Sequence, residues 1–185
     1  MDRSVIQANY PLISAAANDV LDLFGPSFTG RAEGHVETDI SAAACLAGLM
    51  ILRGEGFDLS AFKVGTVILS DLDSEMDEIW GFMAAVARSM GLDPSSGWSD
   101  VVSEKHKPLF SVLEMTHKTE KEFLAVCGKH GLGKEFYRFV AVLAALKLVA
   151  AAKKMGLLDE NAGKALVGYH VVAGAKTVPY PVEKE

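Results

Sequence analysis

The stretch Ile40-Ser-Ala-Ala-Ala-Cys-Leu-Ala-Gly-Leu-Met-Ile-Leu52 decides the fold. As a helix it has hardly any polar face, and a helix that is apolar all round is buried. Small residues recur along it at i,i+4 spacing, Ala43 with Ala47 and Ala44 with Gly48. They leave shallow surface on which a second helix backbone can come close. Gly48 carries a helix-propensity penalty of about 1 kcal/mol relative to Ala, so something there is expected to need the missing Cβ.

The counterpart is Lys134–Met155, where Ala141 and Ala145 share the spacing and are flanked by Phe136, Phe139, Val140, Leu143 and Leu146. A third broad apolar face lies at 79–90, with Ile79, Trp80, Phe82, Met83, Val86 and Met90. Three such helices compete for one interior, which leads to the expectation of a homodimer. Ala44, Gly48, Ala141 and Ala145 then mark either a packed seam or a cavity for an apolar ligand.

Outward from these helices the punctuation is helical. Arg88-Ser-Met-Gly91-Leu92, Lys129-His130-Gly131-Leu132 and Lys153-Lys154-Met155-Gly156-Leu157 repeat one stop signal: cations near the last turn, a glycine for the left-handed conformation, and a leucine that folds back. Start signals are Ser74 with Asp77 as a capping box, Thr38 or Asp39 as a cap, Pro108 in a first turn, and Asp159 ahead of the last helix. The spacing predicts helices near 11–24, 39–53, 74–90, 108–130, 134–155 and 159–175. Residues 60–69 suit a strand as well as a short helix, but one strand makes no sheet, so they are read as helix or irregular. Segments 25–37 and 91–107 are the long connections. The expected fold is all-α: a single domain over 1–173, an orthogonal or bundle-like array of about six to seven helices with two nearly all-apolar central ones. An extended C-terminal tail, 174–185, carries Pro179 and Pro181.

A chain of 185 residues buries a full core without staples. Its two cysteines, Cys45 and Cys127, lie inside apolar helical patterns, which suggests free thiols in a reducing compartment. No secretory pattern opens the sequence. The longest apolar run, Phe139 to Ala152, is interrupted by Lys147 and falls short of the ~18 residues of a spanning helix. No membrane span and a cytoplasmic location are expected. The net charge is −6 and uneven: residues 1–96 hold 5 Lys/Arg against 14 Asp/Glu, residues 97–185 hold 13 against 10. Two such halves can complement each other within the fold or across a dimer, whereas nucleic-acid binding needs a concentrated basic stripe.

His35, Glu37 and Asp39 alternate, so in an extended loop they project to one side as one nitrogen and two oxygen donors, the start of a divalent-metal site. A helix cap with solvated neighbours competes with that reading. Gly128-Lys-His-Gly-Leu-Gly133-Lys134 has the GxxxxGK spacing of a phosphate loop, but Glu135 replaces the magnesium-binding hydroxyl and the helix stop falls inside it. A helix–turn–helix connection is the expectation. Glu114 and His117 form one i,i+3 pair of the di-iron type where two are needed, and the acids of Asp71–Glu78 suit a helix N-terminus. His170 reads as a hydrogen-bonded core histidine. HExxH, GxSxG, CxxC and GxGxxG are absent, so no enzyme is indicated. The leading expectation is a non-catalytic helical homodimer acting through protein contacts. The alternative is a protein that binds a small molecule or divalent metal between the apolar helices and the 25–39 loop.

Overall fold

The computed structural model describes residues 2–54, 56, 58–68, 73–99 and 101–181. The described residues form seven α-helices: α1 Arg3–Leu21, α2 Pro26–Thr29, α3 Val36–Gly54, α4 Asp73–Ser89, α5 Val112–Lys129, α6 Tyr137–Met155 and α7 Glu160–Lys176. Only one isolated antiparallel bridge, Val67 to Thr177, departs from the all-α pattern among them. None of these helices is long and apolar enough to cross a membrane.

Helix α3 is the axis of the molecule, buried without a break from Thr38 to Leu52. Helices α7 and α6 pack along it and α5 closes a further side, while α1 and α4 cover α6. Ala44, Ala141 and Ala145 are fully buried within the one chain, and so are most residues of α6. The apolar helices that suggested a homodimer are therefore largely buried within a single chain. Gly48 meets α7 rather than α6: a Cβ there would lie 2.1 Å from the Val171 carbonyl oxygen and 2.4 Å from the Ala175 nitrogen. Reciprocally, a Cβ on Gly174 would lie 2.4 Å from the Cys45 carbonyl oxygen. The two glycines let the backbones of α3 and α7 touch.

The three stop signals act alike. Gly91, Gly131 and Gly156 all take positive φ, near 70°. Each following leucine returns its N–H five residues back, Leu92 to Ala87 (2.9 Å), Leu132 to Cys127 (3.4 Å) and Leu157 to Ala152 (3.0 Å), the bond of the Schellman motif. Starts were harder to place. Helix α1 begins at Arg3, capped by Asp2, and runs through Pro11, a residue that normally opens or interrupts a helix. Helix α5 begins at Val112 under a complete Ser111–Glu114 capping box, so Pro108 lies outside it. Helix α7 extends to Lys176, so the tail is shorter than its prolines suggested. The 59–61 stretch is a 3-10 turn, and after a turn at Gly65 residues 66–68 run alongside the tail. Gly65 and Ile68 donate to Val178 and Lys176 carbonyls, and Val178 returns a bond to Thr66. Its β-branched residues thus serve a short backbone pairing; Leu69 lies outside the described residues.

The α3–α7 crossing predicts opposite signs for chemically identical substitutions. Gly48→Ala and Gly174→Ala must push two backbones apart and should cost about 3 kcal/mol or more. Gly81→Ala in α4, where a Cβ meets nothing within 4 Å, should stabilise by up to about 1 kcal/mol through helix propensity. Urea unfolding of the three variants checks this; a neutral Gly48→Ala would mean that the helices do not touch there.

Candidate functional site

The N-terminus of α3 gathers polar groups contributed by three separate parts of the chain. The His35 carbonyl accepts from the Thr38 and Asp39 amides at 2.9 and 3.1 Å, which makes His35 the capping residue in place of the expected Thr38 or Asp39. Its ring joins in: Nδ1 lies 3.3 Å from the Thr38 amide nitrogen and 2.9 Å from Thr38 Oγ1. Thr38 Oγ1 accepts from the Leu109 amide at 2.8 Å, which leaves its hydroxyl proton for His35. With an N–H and an O–H both aimed at it, Nδ1 is the acceptor and the ring proton sits on Nε2. Glu37 Oε2 is 3.6 Å from His35 Nδ1, beyond hydrogen-bond range.

Glu37 is engaged elsewhere. Its Oε1 lies 3.1 Å from Nδ1 of His106, in the 3-10 turn Glu104–His106. An ionised carboxylate only accepts, so His106 Nδ1 carries the proton and Nε2 is left for another group. That Nε2 is buried and has no hydrogen-bond partner among the described residues. Both side chains are about 16% exposed. His106 also lines a pocket of about 320 Å³ between the 97–106 segment and the start of α7. Val101, Val102, Ala162 and Ala165 supply apolar surface to it, and Ser103, Lys105 and Asn161 join His106 as polar lining.

Two sets of contacts hold residues 93–99 against α7. Lys164, fully buried, donates to the Asp93 carbonyl at 2.7 Å and to Glu160 at 2.9 Å, and its ammonium lies over the Trp98 ring. Gly168 of α7 admits the Ser99 backbone, whose carbonyl oxygen would lie 3.1 Å from a Cβ there.

The three predicted metal donors do not converge. Helix α3 already begins at Val36, so Glu37 and Asp39, two residues apart at about 100° each, face different directions. Burial raises the Asp39 carboxyl above its ordinary range, against the Gly25 backbone N–H and His35. Among the described residues no set of three or more His, Cys, Asp or Glu side chains is placed to hold a metal ion. Gly128–Lys134 is the end of α5, a turn at Gly131 and a 3-10 turn, Lys134–Phe136. Glu114 is spent in its capping box and His117 packs on Tyr180 at 4.5 Å. Of the acidic run, Asp71 and Leu72 lie outside the described residues and the remainder opens α4. Both thiols are buried, and burial pushes Cys127 up to about 12 and Cys45 further, so neither is nucleophilic.

No family model matches this chain, and no match to a curated protein or to a solved structure was found. His106 carried no signal in its own neighbourhood: Glu104-Lys-His-Lys107 reads as a solvated loop. Its partner lies 69 positions away, a pairing that only the packing of α3 against the long connection creates.

His170 sits where the sequence placed it, in the core. Its Nδ1 is 2.9 Å from the Leu166 carbonyl, to which it donates. Burial lowers its pKa to about 4, with the Leu166 carbonyl pulling the other way. The folded protein holds the neutral ring while the unfolded chain takes up a proton below about 6.5, so stability is full above that pH and falls as pH drops toward 4. Glu160, held near 2 chiefly by Lys153 and Lys164, loses its own contribution only below its ordinary value of 4.5. Unfolding free energies measured from pH 6.5 to 4.5 should therefore fall by about 2 kcal/mol. His170→Phe should remove most of that slope, and an undiminished slope would assign it to other groups.

Proposed function

We propose that this chain binds a small molecule in the pocket between the 97–106 segment and α7, with His106 orienting it. One observation carries the reading. An imidazole fixed through Nδ1 by a carboxylate, with its other nitrogen buried and unpartnered, lies in the wall of a pocket. A buried nitrogen without a partner costs free energy unless a further group supplies the missing bond. The Glu37 tether also reduces the freedom His106 would lose on binding. Apolar surface with a few convergent polar groups is the usual composition of a ligand site, and about 320 Å³ is at the small end of the range. Glu37, at the N-terminal end of α3, reaches the pocket through His106, while the facing residues of α3 and α6 are buried against each other. No catalytic step is proposed.

Native mass spectrometry of the purified protein tests this directly. The wild type is expected to carry a small bound species, or to acquire one from a metabolite extract. His106→Ala and Glu37→Ala should lose it while keeping the helical circular-dichroism signal. Equal occupancy in both variants, or an empty wild type in every extract, would overturn the proposal.

A second reading, the homodimer, draws support from a different surface. Val5, Ala8, Leu12 and Ala15 form a stripe on the outer side of α1, with Val5 and Leu12 each more than 40% exposed. Two copies pairing through that stripe would bury it. Light scattering at micromolar concentration should then give twice the chain mass for the wild type and one chain mass for Leu12→Lys. A wild-type monomer ends this reading.

A further inference from the structure

We infer that the ligand of the His106 pocket presents a hydrogen-bond donor to His106 Nε2, an O–H or N–H at the end of a short apolar body. This rests on the pocket reading above and goes on to name the ligand's chemistry. Buried polar atoms without a partner among the described residues also occur on Asp39, Ser41 and Arg138, but of these side chains only His106 lines the pocket. What His106 asks of a ligand is set by its other nitrogen. Glu37 Oε1, 3.1 Å from Nδ1, keeps the ring proton there, so Nε2 of the neutral ring carries a lone pair and no proton. A second proton on the ring would not relieve the deficit, since it would bury an N–H with no acceptor among the described residues.

A lone pair is answered only by a donor. A carboxylate, an ether or a ketone brings lone pairs of its own. Set against Nε2, it would leave two acceptors facing each other, both stripped of water and neither paired. A hydroxyl closes the bond through its proton, and an amine closes it through an N–H. The requirement comes from the lone pair and not from a charge, so it holds for a neutral and for a cationic donor alike. Because Nε2 is buried, the donor has to project from the end of the ligand rather than from its middle. The rest of the molecule then lies against Val101, Val102, Ala162 and Ala165, where methylenes replace water on apolar surface. A primary alcohol or amine of a few carbons has this shape.

A titration of the 15N-labelled full chain with 1-pentanol, its isomer butyl methyl ether, pentylamine and pentanoate tests this. Amide shifts of 97–99, 101–106 and 159–165 report occupancy, and two-bond 1H–15N spectra of the imidazoles report where His106 holds its proton. The better of pentanol and pentylamine should bind at least about tenfold more tightly than the ether and pentanoate. His106 should be protonated at Nδ1 alone, with its Nε2 resonance shifting as that donor binds. In His106→Ala the advantage should fall to about twofold or less. Pentanol ahead makes the donor neutral and pentylamine ahead makes it cationic, and either supports the assignment. If the ether or pentanoate binds as tightly as the better donor, if the advantage survives in His106→Ala, or if the ring carries a proton on Nε2, the donor assignment is overturned while the pocket stands. If none of the four moves these amides, the species carried by the purified protein decides. One lost in His106→Ala and holding an O–H or N–H group upholds the assignment, and one lost there but without such a group overturns it alone. A species retained in His106→Ala, or none at all, brings the pocket reading down with it.

Discussion

The contact on which the rest of the molecule depends is the backbone-to-backbone crossing of α3 and α7 at Gly48 and Gly174. Neither position tolerates a Cβ while the helices keep their separation, since each would fall 2.1 to 2.4 Å from a main-chain atom of the other helix. Side chains move to relieve such a clash, but packed helical backbones do not. The crossing brings α7 close enough for α3 to be enclosed on every side, which a helix without a polar face requires. Two further glycines of α7 face other neighbours: Gly163 receives Val149 of α6 and Gly168 receives the Ser99 backbone. Helix α7 is thus relieved of side chains toward three partners and acts as the piece against which the others are set.

That placement builds the pocket. Because Gly168 lets Ser99 lie against α7, and Lys164 pins the Asp93 carbonyl from below, a connection without regular structure is held along a rigid helix. A fully buried lysine is tolerable only when paired and hydrogen-bonded, and here the same two bonds that satisfy it position the loop. The other end of the loop is fastened to α3 by Glu37 and His106. The pocket therefore lies against the start of α7, under a connection that meets α7 at Ser99 and α3 at Glu37.

The helices were legible in the sequence where the signal was local. Gly91-Leu92, Gly131-Leu132 and Gly156-Leu157 each contain their whole stop motif, and Asp159 contains its cap, whereas the Ser111–Glu114 box was passed over for Pro108. The apolar run of α3 announced its own burial. What was not legible depended on partners far along the chain. Gly48 signalled a close approach correctly, but nothing in Ile40–Leu52 says whether α6 or α7 makes it, and Gly174 reads as the start of a proline-containing tail. His35, Glu37 and Asp39 attracted notice because their alternation is a strand pattern. The helix starts one residue after His35, and helical geometry separates what an extended chain would have aligned. Glu37, expected as a metal donor, bonds instead to His106, which lay in a segment that looked only solvated.

The uneven charge of the two halves finds part of its answer in the same geometry. Acids of the first half meet bases of the second inside one chain, as Asp19 meets Lys129 and His130, and Glu78 meets Arg138. Surface pairs of this kind contribute little individually, yet together they align α1 with α5 and α4 with α6. Glu37 and His106 follow the same rule, an acid of the first half bonded to a base of the second. Among the described residues both pairings leave a buried nitrogen over: Arg138 bonds Glu78 and His106 bonds Glu37, yet Arg138 Nε and His106 Nε2 have no hydrogen-bond partner. Of the two, His106 stands in the wall of a pocket, and that is the difference on which the proposed binding rests.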